Sequence, residues 1–212
     1  MKLDTTWIET WMGASAAAIA ENKALLNHLD REIGDGDHGE NMDRGLTAVV
    51  PALAALPDDA TPAAALRSVA MTLISTVGGA SGPLYGTAFL KAAEPLGDGP
   101  ELDGTVVVAM LTAARDGIVS RGKAESGDKT MVDAWTPAVD AARAAAAEGA
   151  SPGAILDSAA AAAEAGAVAT EPMVARKGRA SYLGERSAGH RDPGAQSTAI
   201  ILRAAATVAG DD

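Results

Sequence analysis

Apolar side chains recur every three or four residues along most of this chain, which is the spacing of α-helices that bury one face. The first such run predicts one long helix from about Asp4 to Leu29. Seven further runs predict helices around residues 46–53, 66–77, 81–96, 103–119, 132–147, an Ala-rich stretch after 152, and 194–208. No run shows the alternation of a convincing strand. The pattern therefore predicts an all-α protein with about eight helices.

Residues that start and stop helices support this division. Thr61-Pro62 and Ser151-Pro152 each place a capping side chain before a proline that fits the first helical turn. Gly78-Gly79 interrupts the helical period, and Pro57 follows the second helix. The segment from Glu171 to Asp192 has little apolar periodicity. Because structureless connections of this length are usually functional lids or disordered, we expect a mobile functional loop there.

Composition narrows the classes of function. The 212 residues suffice for a single domain over residues 1–212, with 48% hydrophobic and only 3% aromatic residues. A formal net charge of −11 argues against binding to nucleic acid or to an anionic membrane. Neither a secretory signal nor an apolar run long enough to span a bilayer is evident, so we expect a cytoplasmic protein. The sequence has no cysteine, which excludes disulfides and thiolate metal sites.

Three aspartates, Asp30, Asp35 and Asp37, lie within eight residues of one another. Carboxylates this close repel one another unless cations lie among them. Oxygen ligands favour Mg²⁺ or Ca²⁺, and the interspersed glycines allow backbone N–H groups to approach a phosphate. A polar turn between helices is the plainer interpretation, and the spacing does not follow that of an EF-hand. His38, between the last aspartate and Gly39, is as readily a structural histidine as a ligand contact.

Three further glycine-rich stretches lie at predicted helix ends. They are Gly78–Gly86, Arg121–Met131 and Gly178–Gly194. Each alone is an ordinary connection or a solvated run of charge. Taken together with the aspartates, they predict a nucleotide and metal site at one end of a helical bundle, where helix N-termini favour phosphate.

The chain resembles the nucleotide-binding L subunit of dihydroxyacetone kinase in four stretches, which read LDREIGDGDHGENMDRG, GGASGPLYGTAFLKAA, GDKTMVDAWTPA and GRASYLGERSAGHRDPGAQST. The matches appear in order from about residue 25 to residue 203. The resemblance implies a closed antiparallel barrel of eight helices with ADP or ATP bound at one rim. It also implies a kinase subunit that is inactive alone, because the family binds its substrate on a separate K subunit or domain.

The resemblance also assigns residues by motif position. Asp30, Asp35 and Asp37 would hold two Mg²⁺ ions that bridge the phosphates, and Arg179 would stabilise the charge that develops during transfer. The implied contacts of the phosphates and of the nucleotide entrance are His38, Gly39, Asn41, Met42, Gly79, Ala80 and Ser81. Those of the adenine and ribose are Gly122, Thr130 and Met131. Asp192, Pro193 and Gly194, with Arg179, would close over the nucleotide.

Two versions of the family leave the phosphoryl donor open. In one, ADP stays bound and an M-type phosphocarrier subunit of the phosphotransferase system rephosphorylates it; in the other, ATP exchanges freely. A free-standing chain of this length favours the first. The alternatives are an ATP-dependent kinase of another small ketose, a tetrose or a fatty-acid carrier, and a non-catalytic co-regulator that binds a transcription factor. A homodimer stays open as well.

Overall fold

The computed structural model describes residues 2–97 and 99–210, and this part of the chain contains helices and no strand. The α-helices are α1 (Thr5–Ile33), α2 (His38–Ala54), α3 (Pro62–Thr76), α4 (Ser81–Ala92), α5 (Gly104–Gly122), α6 (Val132–Ala147), α7 (Pro152–Ala169) and α8 (Pro193–Ala209). Two 3₁₀ helices cover Glu94–Leu96 and Arg179–Ser187. The all-α prediction is confirmed.

Five helices begin at a residue whose side chain accepts a hydrogen bond from the first turn, which satisfies an N–H group that has no partner within the helix. The capping residues are Asp4, Thr61, Asp103, Ser151 and Asp192. Proline occupies the first turn of α3, α7 and α8. The predicted starts at Thr61-Pro62 and Ser151-Pro152 are therefore confirmed.

The eight helices form a closed ring around a single main core. Each helix packs against its neighbours in the sequence, and α8 packs against α1 to complete the ring. Trp7 and Trp11 of α1 stack at 5.1 Å between ring centroids and are almost completely buried. The indole N–H of Trp11 donates to the Ile201 carbonyl at 2.8 Å, which ties α1 to α8. Small side chains fill much of the remaining core, as the low aromatic content predicts.

Two helix ends differ from the sequence-based boundaries. Helix α1 continues to Ile33, one turn beyond Leu29, so Asp30 lies within the helix. Helix α4 ends at Ala92, and the chain continues as a 3₁₀ turn, because Pro95 has no N–H to donate and its ring obstructs an α-helix. The segment from Glu171 to Asp192 also contains ordered structure, the 3₁₀ helix Arg179–Ser187, which kinks at Gly184 with φ +55°.

None of the helices in residues 2–97 and 99–210 combines the length and the hydropathy that crossing a bilayer requires.

Candidate functional site

One rim of the ring encloses a cavity of about 590 Å³. The end of α1, the beginnings of α2, α4 and α8, the loop before α6 and the 3₁₀ segment all reach it. Most of the residues that the sequence predicts for the site line this cavity: Asp30, Asp35, Asp37, His38, Asn41, Gly79, Ala80, Ser81, Thr130, Met131, Arg179, Asp192, Pro193 and Gly194. Residues from six separate stretches thus meet at one rim.

Asp30 organises the turn between α1 and α2. Its Oδ2 accepts hydrogen bonds from the backbone N–H groups of Gly36 at 2.8 Å, Asp37 at 2.9 Å and His38 at 3.2 Å. The chain can wrap around this oxygen because Gly36 adopts a left-handed conformation, with φ +81°. One carboxylate oxygen therefore holds the turn, and the other is not needed for it.

The three aspartates form a set of converging oxygen ligands. Asp30, Asp35 and Asp37 each offer one oxygen, and these three atoms lie within 4.8 Å of one another. Burial raises the pKa of the half-buried Asp30, the negative charge of Asp35 adds to the rise, and the backbone N–H groups oppose it. A divalent cation would relieve this unfavourable environment. Three hard carboxylate oxygens fit Mg²⁺ well.

A cation from the 3₁₀ segment already reaches this set. The Arg179 guanidinium lies 3.0 Å from Asp35 Oδ2, and both side chains remain largely exposed to solvent. The contact brings a positive group over the carboxylates from the opposite side of the cavity. Because the pair is exposed, it adds little to stability, and Arg179 is free to turn towards another anion.

His38 belongs to a buried hydrogen-bonded network. Its Nε2 lies 2.9 Å from the Ser197 hydroxyl, and its Nδ1 lies 3.2 Å from the Ser81 hydroxyl. The Tyr85 hydroxyl lies 2.7 Å from the same Ser197 hydroxyl and 3.0 Å from that of Thr198. Burial lowers the pKa of His38 to about 4, so the ring is neutral at neutral pH. This network links the starts of α2, α4 and α8.

The beginning of α4 presents backbone donors to the cavity. Gly79 adopts φ +64°, and the N-cap residue Ala80 has no side-chain acceptor for the first turn. Asn41 lies beside this turn, where its Oδ1 accepts a hydrogen bond from Arg44 at 2.5 Å. Free N–H groups at a helix N-terminus form a favourable anion site.

A second cavity of about 380 Å³ adjoins the first. Ala80, Thr130 and Met131 border both, while Gly122 borders only the second. Apolar side chains form most of its remaining walls, namely Pro83, Leu84, Ile118, Ala124 and Val132, and Arg121 and Lys177 also border it. A polar cavity beside an apolar one suits a ligand with a charged end and a flat, apolar end.

Two residues that the resemblance assigns to the nucleotide lie away from both cavities. Gly39 lies where α2 crosses α1, and a Cβ there would come closer than 3.0 Å to the Lys23 carbonyl oxygen and the Asn27 Oδ1. Met42 is completely buried in the main core. The structure therefore gives both residues a packing role, since α1 and α2 approach each other closely at this turn.

The structure also brings in residues that the sequence reasoning did not single out. Lys129 borders the cavity although it is only 1% exposed. Ser197 contacts His38, and Tyr85 contacts Ser197. Asp133 shapes the loop before α6 by accepting a hydrogen bond from the Thr130 N–H at 2.8 Å. The left-handed backbone of Lys129, with φ +62°, has no sequence signal, because lysine rarely adopts it.

Comparisons with known proteins identify relatives of this chain. The model of the DAK2 domain family matches residues 32–207. The chain is 44% identical over 209 residues to the PEP-dependent dihydroxyacetone kinase, ADP-binding subunit DhaL, of Escherichia coli, with 99% of each chain covered. It is also 38% identical over 186 residues to an L-erythrulose 1-kinase of Mycolicibacterium smegmatis. That alignment covers 87% of this chain but only 32% of the kinase.

A solved structure shares the fold. The dihydroxyacetone kinase of C. freundii in complex with AMP-PNP and Mg²⁺ aligns with a TM-score of 0.71 and 28% sequence identity, over 98% of this chain and 34% of that chain. The present chain thus corresponds to about a third of that kinase. The predicted resemblance to the L subunit and the predicted fold are both confirmed.

Proposed function

The chain belongs to the DAK2 domain family, and from that premise we propose that it is the ADP-binding subunit of a dihydroxyacetone kinase. One observation carries the proposal above all: three carboxylate oxygens within 4.8 Å of one another face a cavity that helix N-termini also border. Acidic ligands for a cation and backbone donors for an anion are both needed to hold a metal-bound polyphosphate. The match over 99% of a free-standing subunit supports a subunit rather than a whole kinase.

The residues of this chain divide into three roles. Asp30, Asp35 and Asp37 would hold Mg²⁺, in our proposal two ions, which when bound neutralise the oxygens of the phosphates. Ser81 and the first N–H groups of α4 would orient the phosphates. Arg179 would turn from Asp35 towards the transferred group and stabilise its developing charge.

The adjoining apolar cavity would hold the base and the ribose. Gly122 leaves room at its wall, and Met131 separates it from the polar cavity. Neutral His38, fixed on both ring nitrogens, would position the Ser81 hydroxyl without adding charge to an already acidic rim. Asp192, Pro193 and Gly194 would complete the wall from the start of α8.

The proposed function implies two partner subunits. Dihydroxyacetone would be held by a K-type subunit that docks over the rim. An M-type phosphocarrier would rephosphorylate bound ADP, as the word PEP-dependent in the name of the E. coli relative suggests. On this proposal ADP stays with the purified protein through extended dialysis.

The aspartates provide the direct test. We predict that Asp35→Ala removes Mg²⁺-dependent ADP binding in isothermal titration calorimetry, because two ligands cannot replace three at an exposed site. Asp58→Ala, at the opposite end of the ring near the start of α1, is the matched control and should bind like the wild type. Unchanged affinity in Asp35→Ala would refute the metal assignment.

A second function has one observation in its favour. The similarity to part of an L-erythrulose 1-kinase indicates that related domains occur in kinases of a tetrose. An ATP-dependent kinase would exchange its nucleotide rapidly. Loss of ADP during dialysis, together with activity from ATP when a substrate-binding partner is added, would favour this alternative.

A further inference from the structure

Lys129 is a buried lysine whose ammonium meets three backbone carbonyls. Its Nζ donates to the carbonyl oxygens of Thr170 at 2.7 Å and Glu171 at 3.3 Å, and also to that of His190. The residue is 1% exposed. An ammonium carries three protons, so each carbonyl can receive one of them.

The three carbonyls come from the two ends of one segment. Thr170 is the C-cap of α7, and Glu171 follows it, so a cation there also meets the negative end of the helix dipole. His190 lies three residues before α8. We call residues 171–192 the cavity segment, because its middle carries Arg179 and it leads directly to Pro193 and Gly194.

Neighbouring hydrogen bonds reinforce the same closure. The Asp192 N–H donates to the Thr170 hydroxyl at 2.9 Å, and the Gly189 N–H donates to the Glu171 carbonyl at 2.7 Å. The Arg176 N–H donates to the carbonyl of Asp128, the residue before Lys129, at 3.0 Å. The loop before α6 therefore holds the cavity segment at both ends through Lys129 and at Arg176 through Asp128.

We propose that Lys129 is a positioning residue, which closes the base of the cavity segment and thereby fixes Arg179 and the start of α8 over the nucleotide. The inference rests on the proposed function for its ligand, while the closure itself belongs to the free protein. Lys129 borders the cavity but does not serve as a phosphate ligand, since its three protons are engaged by carbonyls. Its backbone is left-handed, with φ +62°, and its side chain reaches the end of α7 and the residues just before α8.

Lysine suits this position better than other residues. A methionine of similar length would donate to none of the three carbonyls. Those of Thr170 and Glu171 would keep the N–H groups of Met173 and Gly189, but that of His190 would lose the Lys129 donor, which is costly. Glutamine can reach only part of the way and offers two protons. Burial lowers the pKa of Lys129, whereas the nearby carboxylates of Asp192, Glu171 and Asp133 favour the charged form.

The test compares Lys129→Met with a matched control. Lys123→Met changes the other lysine with a left-handed backbone in the described residues, at φ +53°, but Lys123 is exposed. In the free protein, hydrogen exchange should accelerate by about tenfold or more at the amides of Ala175, Gly189 and Asp192 in Lys129→Met, because local opening exposes them. Amides of α1 to α5 should be unchanged, and Lys123→Met should match the wild type throughout.

Binding measurements distinguish a positioning role of Lys129 from a loss of stability of the whole protein. The Kd for ADP with Mg²⁺ should rise by about tenfold or more in Lys129→Met. The Kd for Mn²⁺ without nucleotide should stay within about twofold, since the aspartates lie on α1 and the turn after it. Lys129→Gln, which keeps two donor protons, should fall between the wild type and Lys129→Met in both the exchange rates and the Kd for ADP.

Several outcomes would overturn the inference. Unchanged hydrogen exchange in the cavity segment would show that Lys129 does not close it. Faster exchange in all helices would show that Lys129 stabilises the whole fold instead. Loss of folding in both Lys129 variants would do the same. If the wild-type protein itself fails to bind ADP with Mg²⁺, the proposed function fails, while the exchange experiment still decides whether Lys129 closes the segment.

Discussion

Two regions face each other across the cavity, and they are held in place in opposite ways. In the aspartate turn, residues 30–38, one carboxylate oxygen of Asp30 binds backbone groups only six to eight residues away. The cavity segment, residues 171–192, depends instead on Lys129, which precedes Thr170 by 41 residues and His190 by 61. The aspartate turn is held by hydrogen bonds within itself, and the cavity segment is held by hydrogen bonds to the loop before α6.

This difference has consequences for stability and for function. A turn that closes on itself needs little from the rest of the fold, so its ligands for a cation are in place before any nucleotide binds. A segment held through distant contacts can open without unfolding the ring. On the proposed function, the carboxylates of the metal site would thus be preorganised, and the residues over the nucleotide would belong to the part that can open.

The largest effect should come from removing the support of the aspartate turn. Asp30→Ala should abolish Mg²⁺-dependent ADP binding in calorimetry and lower the free energy of unfolding by about 2 kcal/mol, because three N–H groups lose a charged acceptor. Urea unfolding measures the second quantity. Asp35→Ala is the control, since the ion pair of Asp35 with Arg179 is exposed, and its stability should stay within about 0.5 kcal/mol of the wild type.

Equal losses of stability in Asp30→Ala and Asp35→Ala would show that the turn does not depend on Asp30. The two regions would then not differ in the way described, because the aspartate turn would also be held from outside.

The same difference explains which parts of the site could be predicted from the sequence. The aspartate turn is local, so Asp30, Asp35 and Asp37 can be recognised from their spacing, and capped helices are recognisable for the same reason. Lys129 stands in a glycine- and charge-rich stretch that is typical of an exposed loop. Nothing near it in the sequence indicates burial, because its acceptors lie on α7 and before α8.

Two glycines show that a motif does not predict the role of each residue in it. Gly39 and Gly79 both belong to glycine-rich motifs, and the resemblance assigns both to the nucleotide. Only the packing of α2 against α1 reveals that Gly39 lies at a close approach of two helices. Gly79 lies in open space with φ +64° and borders the cavity. The motif identified the region in each case but could not give the role of the atom.

A pair of alanine substitutions sharpens this contrast. Gly39→Ala should lower the free energy of unfolding by about 2 kcal/mol, because its Cβ would meet the backbone of α1. Gly79→Ala should cost only about 1 kcal/mol, from the left-handed backbone. In calorimetry the order should reverse, with the larger loss of affinity for ADP in Gly79→Ala. A larger loss of affinity for ADP in Gly39→Ala than in Gly79→Ala would indicate that Gly39 belongs to the nucleotide site.

The last expected effect depends on pH and concerns Asp192, where the two regions meet. Burial raises the pKa of Asp192 to about 7, and the negative charges of Asp133 and Asp30 add to the rise, whereas Lys129 and the Ala195 N–H oppose it. Between about pH 4 and pH 7 the folded protein therefore holds a proton that the unfolded chain has released. The wild type should lose stability relative to Asp192→Asn as the pH rises through this interval, and the difference should be constant above it.

Urea unfolding of both proteins at several pH values measures this difference, which should reach about 1–3 kcal/mol at neutral pH. Asparagine keeps a capping oxygen for the Ala195 N–H, so the substitution removes the charge and retains the cap. Asp103→Asn, at the exposed N-cap of α5, isolates the effect of the cap alone. If the Asp192→Asn difference did not depend on pH, burial and the charges of Asp133 and Asp30 would not raise the pKa of Asp192 in the folded protein.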